Sequence, residues 1–212
     1  MNAKTESELI FECYCSALSI PFLPIPCEET QTPDYDLRLN DHQIIAEIKQ
    51  LDLNNDDKRN WDDARARGVG SAWGSTEDRL GKKIKKASKQ LKARCQGTIP
   101  GITVLFDNGT FCGIDGTDIK EAMFGKETVT ISRSAREAVG VSGIHSGRDG
   151  RLSPTSNTTI SALAFLRGDG DSSTLTLYHN RFAANPICPN WFRHDRFIQY
   201  ALSNDYYGWT TI

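Results

Sequence analysis

The chain contains no CxxC pair. Its six cysteines, at 13, 15, 27, 95, 112 and 188, are scattered over 212 residues. Structural zinc needs clustered ligands, so none is expected, and free thiols in a reducing compartment are. No apolar run approaches the roughly 20 residues that a membrane helix requires. The opening "MNAKTESELIFECYC" has no apolar segment behind a basic stretch, so no secretory signal is expected and the cytoplasm is the expected location. Neither sign of charge dominates. With 25 Lys and Arg against 27 Asp and Glu, the formal net charge is -2, and any surface for a polyanion has to be a local basic patch.

Several catalytic signatures are missing too. "GKKI" and "GKET" lack the upstream glycine of a phosphate loop, and "GIDGTD" is not a dinucleotide fingerprint. His42, His145, His179 and His194 show no metal-ligand spacing and read as surface or hydrogen-bonded histidines. The "HN" at 179 lacks the rest of an HNH motif, and nothing local marks a Cys–His nucleophile.

What is present fits one α/β domain over 1–212, with 38% apolar and 25% charged residues. "TESELIFECYCSAL" reads as a first helix, capped by Thr5 or Ser7, with Phe11, Cys15 and Leu18 as its apolar stripe. "SIPFLPIPCEETQTP" breaks it with prolines and leaves room for a short edge segment. "DYDLRL" and "QIIAEIK" flank Asn40-Asp41 as a hairpin. Residues 51–77, polar and rich in Asn, Asp and Gly, form an insertion too long for a plain connection, so it reads as a functional flap or a disordered segment. Trp61 and Trp73 lie in it, able to stack on a base or to pin the loop to the body.

The stretch "DRLGKKIKKASKQLKARC" is the clearest helix, with Leu80, Ile84, Ala87 and Leu91 in register and Gly97 past its end. "GITVLFD" reads as a buried strand. "TDIKEAMFG" reads as a helix ended by Gly125, "ETVTISR" as a strand, and "VSGIHSGRDGRLSPTSN" as a loop. "TISALAFL" and "STLTLYHN" read as a second hairpin, and "CPNWFRHDRFIQYAL" as a C-terminal helix.

The first hairpin raises a chemical question. A two-residue loop at Asn40-Asp41 sets Asp34 opposite Glu47, and alternation puts Asp34, Asp36, Glu47 and Lys49 on one face. A four-residue loop keeps that face but pairs Asp36 with Glu47; a three-residue loop separates the acids. Facing carboxylates repel, and burial near a core raises the penalty. A divalent cation between them removes the conflict: Mg²⁺ takes one or two carboxylates and leaves room for a substrate phosphate. Lys49 then reaches the same gap as a point charge able to steady an attacking water or transition-state charge. The plain alternative is an exposed ion pair at a strand end, which would be worth little.

With Pro33-Asp34 as the first element and Glu47-Ile48-Lys49 as the second, the chain resembles the PD-(D/E)xK nuclease superfamily. The family's order is helix, hairpin carrying those motifs, further strand, helix and strand, and the chain is read as following it from residue 6 to about 107. The resemblance implies a restriction-endonuclease-like α/β fold, a central mixed sheet flanked by helices. It also implies hydrolysis of nucleic-acid backbones with Mg²⁺ or Mn²⁺, with DNA as the expected substrate. By the same resemblance Asp34, Glu47 and the carbonyl of Ile48 are the metal ligands and Lys49 is the catalytic lysine. Glu12 matches the glutamate that many members add from the first helix, with Glu8 one turn earlier as the alternative, and Gln90 matches a glutamine that several carry on the later helix. Asp36 stands in for Asp34 if the loop is longer.

The later helix supplies the local patch. Arg79, Lys82, Lys83, Lys86 and Lys89, with further lysines and no acid between 79 and 94, suit phosphate contacts, although a solvated basic face is the usual reading of such a run. A homodimer is compatible with double-strand cleavage. The competing reading is a catalytically inactive nucleic-acid-binding or protein-interaction module on the same fold. A Cys–His hydrolase independent of metal is a third.

Overall fold

The computed structural model describes residues 4–26, 32–52, 55–68, 77–107, 114–132, 140–146, 149–168, 172–203 and 208–212. The chain is α/β. An eight-stranded mixed sheet runs in the order β1 (Phe22–Pro24), β2 (Tyr35–Leu39), β3 (His42–Leu51), β4 (Gly101–Asp107), β7 (Ile160–Arg167), β8 (Thr174–His179), β9 (Phe197–Leu202), β10 (Trp209–Thr211). A separate pair is formed by β5 (Glu127–Ser132) and β6 (Gly140–Ser146). The helices are α1 (Glu6–Ala17), α2 (Asn55–Ala66), α3 (Glu77–Cys95) and α4 (Gly116–Phe124).

Helix α1 begins where the sequence marks it. Thr5 accepts from the Glu8 amide while the Glu8 carboxylate takes the Thr5 amide, a reciprocal cap that satisfies two otherwise orphaned donors. Its buried stripe, Phe11, Tyr14 and Cys15, packs on Tyr35, Ile44, Ile48 and Val104. Leu80, Ile84, Ala87 and Leu91 of α3 are fully buried. On the other sheet face α3 and α4 pack against Ile45, Leu105, Leu163 and Phe165. Two apolar layers thus sandwich one sheet. The central strands β4 and β7 are covered on both sides, which is why "GITVLFD" and "ISALAFL" run apolar rather than alternating.

The β2–β3 register follows from the turn. Leu39 pairs with His42, so the loop is the two residues Asn40 and Asp41, with φ of 47° and 66°. Positive φ at both loop positions matches the right-handed twist of the strands, and Asn and Asp tolerate it better than other side chains. Asp41→Gly removes the remaining steric penalty and is expected to stabilise the fold by about 0.5–1 kcal/mol. A urea midpoint that falls on this substitution would refute that account of the turn.

Two expectations are corrected, and the insertion, read as a functional flap or a partly disordered segment, is seen to carry a helix. Helix α2 occupies 55–66, with Ala64 buried and Trp61 half-buried, while Trp73 lies outside the described residues. The stretch read as a C-terminal helix is a 3-10 turn at Pro189–Trp191 followed by β9, which pairs in parallel with β8. Part of the expected Gly/Ser loop is β6, antiparallel to β5. Among the described cysteines, 13, 15, 95 and 188 are free thiols. No helix among the described residues is long and apolar enough to cross a membrane.

Candidate functional site

The two-residue turn decides the geometry of the acids. Tyr35–Ala46 is the last ladder pair of β2 and β3, and Asp34 stands one step beyond it, on Glu47's side of the sheet. There the Asp34 amide donates to the Ala46 carbonyl at 3.2 Å, and its Oδ2 accepts from the Ile48 amide at 2.7 Å. Asp34 therefore meets Glu47. Asp36 instead pairs across the hairpin with Ile45, and its carboxylate engages Gln43 and, loosely, Arg38.

Glu47 is wholly inaccessible to solvent. Its Oε1 is held by the Lys49 ammonium, while Oε2 is buried with no donor. Burial, then the facing Asp34 charge, pushes the Glu47 carboxyl up to about 8 in spite of Lys49. In its protonated form Glu47 hydrogen-bonds to Asp34, which reinforces the shift. The Asp34 carboxyl is also raised, chiefly by burial, against the opposing pull of the Ile48 amide and Lys49. A buried anion with an unpartnered oxygen is costly, and a proton or a cation between the two carboxylates would relieve that cost.

Helix α1 reaches this end of the hairpin through its first turn. The Ser7 amide donates to Gln50 Oε1 at 3.4 Å, one residue past Lys49. Glu8, half-buried, is among the charges that act on Asp34. Glu12 is engaged elsewhere: both its oxygens lie 2.7 Å from Lys4 Nζ, and Oε1 accepts from the Tyr35 hydroxyl at 2.9 Å. The geometry therefore brings Glu8 closer to the acid pair's field than Glu12.

Helix α3 closes the other side. Gln90 Nε2 donates to the Thr32 carbonyl at 3.1 Å, which ties the helix to the segment that carries Asp34; its Oε1 is buried without a partner. Gln90 thus has a positioning contact. Of the basic residues, Arg79 donates to the Asp52 carbonyl at 3.3 Å, Lys83 is half-buried and feels Lys49, and Lys82, Lys86 and Lys89 are exposed.

Sequence reading missed Thr103. It pairs with Glu47 across the parallel β3–β4 ladder, is fully buried, and its hydroxyl has no partner. One hydroxyl inside "GITVLFD" was the available signal. Glu47 and Thr103, neighbours in the ladder, thus each carry a buried oxygen without a partner.

The carboxylates of Asp34 and Glu47 are hard oxygen donors of the kind that suits Mg²⁺. Among the described residues no three His, Cys, Asp or Glu side chains gather into a fuller ligand cage, so water and substrate would complete the shell. Elsewhere the polar groups serve structure. Asn180 bonds the Ile160 carbonyl and the Phe182 amide, His179 bonds Gln199, and His42 stacks on Trp191 at 4.0 Å. Comparison with family models, with curated proteins and with solved structures finds no match to this chain.

Proposed function

We propose that the protein is a Mg²⁺-dependent nuclease of the PD-(D/E)xK type on a restriction-endonuclease-like fold, hydrolysing phosphodiester bonds in DNA. The observation that carries the reading is the buried Glu47, with a donorless oxygen, facing Asp34 and flanked on its own strand by Lys49. A merely structural ion pair would have no need of a second, repelling carboxylate. The order of elements supports it in part: α1, the acid-bearing hairpin, a helical crossover and a parallel strand match, while the extra strand, β1, stands before the hairpin rather than after it.

In this reading Asp34 and Glu47 hold the cation, together with the Ile48 carbonyl. A bound Mg²⁺ supplies Lewis acidity and an acidified water. Lys49 orients that water or offsets charge that develops on the phosphate. Glu8 adds negative charge at the outer edge of the site, and Gln90 keeps the Asp34 segment in place. The exposed lysines of α3 hold the nucleic-acid backbone without reading its sequence.

The test is nicking of supercoiled plasmid by the purified protein. Cleavage is expected with Mg²⁺ or Mn²⁺ and is expected to stop on EDTA addition. Activity that persists in EDTA and falls with a thiol reagent would replace this reading with a cysteine hydrolase. Salt-sensitive DNA binding without cleavage in either metal would leave an inactive binding module.

A further inference from the structure

Two hydrogen bonds fix how α3 lies over the acid-bearing end of the hairpin. Arg79 reaches the Asp52 carbonyl, just past the end of β3, and Gln90 reaches the Thr32 carbonyl, just before Asp34. These anchors are eleven residues apart, about 16 Å along a helix. Lys83 and Lys86 fall between them at helical spacing, four and seven residues after Arg79, on the side that faces the hairpin. Lys86 is exposed, whereas Lys83 is half-buried.

Lys83 is oddly placed for a surface lysine. It makes no hydrogen bond or ion pair among the described residues, and its ammonium is repelled by Lys49 and Lys86, with Asp52 the acid acting on it. A half-buried ammonium carries three donors that need acceptors. Lys49, from the sheet side, is already committed to Glu47 Oε1. An ammonium on β3 and a second on the helix face anchored over that strand, the second with no acceptor among the described residues, suit an anion with several oxygens.

We propose that Lys83 is a second phosphate-binding residue of the Asp34–Glu47–Lys49 site, so that the phosphate is gripped between a lysine from β3 and one from α3. The identity of that phosphate as a phosphodiester rests on the nuclease reading; the two-lysine anion site does not. Lys83 is then distinct from Lys82, Lys86 and Lys89. Those change affinity for the strand, whereas Lys83 acts on the phosphate that reacts.

The experiment uses protein labelled with ¹³C-lysine and titrated with inorganic phosphate in the absence of metal. The Lys49 and Lys83 side-chain signals are expected to move together along one saturation curve, and Lys83→Met is expected to remove the Lys49 response. A Lys83 signal that stays still while phosphate saturates Lys49, or no response from either, overturns the proposal, whether or not the protein cuts DNA. In the cleavage assay Lys83→Met is expected to lower kcat about a hundredfold with KM within about twofold, and Lys83→Arg to restore part of it. Lys126→Met, exposed just past α4 and outside the basic run of α3, serves as the control. A rise in KM alone for Lys83→Met would reduce the residue to general backbone contact and count against the assignment. Plasmid left uncut by the unaltered protein would sink the nuclease reading but leave the phosphate result standing.

Discussion

Glu47→Gln is expected to abolish cleavage while leaving a well-folded protein. Loss of a partner one shell out from a metal costs 10–100-fold, so removing a direct carboxylate ligand should cost at least about a hundredfold in kcat/KM. The same change removes a charge that the fold has to desolvate beside Asp34. Gln keeps the shape and can donate to Asp34, and Lys49 retains Asp34's charge nearby. Activity and stability should therefore move in opposite directions at alkaline pH: cleavage lost, melting temperature equal to or above that of the unaltered protein. An active Glu47→Gln enzyme would remove the ground for the proposed mechanism. An inactive variant that also melts far lower at pH 8.5 would mean that Glu47 is there to pair with Lys49 and hold the strand.

The second large effect is a coupling between pH and Mg²⁺. The Glu47 carboxyl titrates near 8 in the folded chain against an ordinary 4.5, and burial moves Asp34 in the same direction. Between those values the native state binds more protons than the unfolded chain, so stability falls as pH rises from about 4.5 towards 8. The contribution is fully present below the lower value and gone above the upper one. A cation that binds the ionised pair reverses this trend. At a tenfold excess over its dissociation constant it adds about 1.4 kcal/mol, or roughly 3–5 °C in melting temperature for a chain of this size. Near pH 6 the metal must first displace a proton, and the shift should nearly vanish. Thermal melts at pH 6 and pH 8.5, with and without Mg²⁺, check this. Equal Mg²⁺ shifts at the two pH values, or a shift that survives in Glu47→Gln, would mean that the cation binds somewhere else.

The hairpin and its acids could be read from the sequence because period-two alternation and an Asn-Asp turn leave few registers, and the turn's backbone chose among them. The α3 stripe was readable for the same kind of reason: Leu80, Ile84, Ala87 and Leu91 repeat at the helical period and are all buried. Helix α2 gives no such signal. It buries Ala64 and part of Trp61, so its polar residues look like any loop. Strand β9 was hidden because its partner, β8, is brought to it by the fold rather than by a turn; Trp191, Phe192 and Phe197 suggested a helix that long-range pairing overrode. The choice between Glu8 and Glu12 could not be made from spacing, since residues four apart share a helix face. Both carboxylates are engaged, Glu8 by the Thr5 cap and Glu12 by Lys4 and Tyr35, and what separates them is that Glu8's charge acts on Asp34. Thr103 was invisible for a different reason: an orphan hydroxyl is a fact about neighbours, and one threonine in an apolar strand has no period.

Both outer strands of the large sheet, β1 and β10, are only three residues long, and β1 ends in Pro24, which has no amide hydrogen to offer. Such rims give a stranger's main chain almost nothing to zip onto. If cutting both strands of a duplex calls for two copies, the rims of the large sheet give them little to join by, which leaves the side chains of the flanking layers and the separate β5–β6 pair.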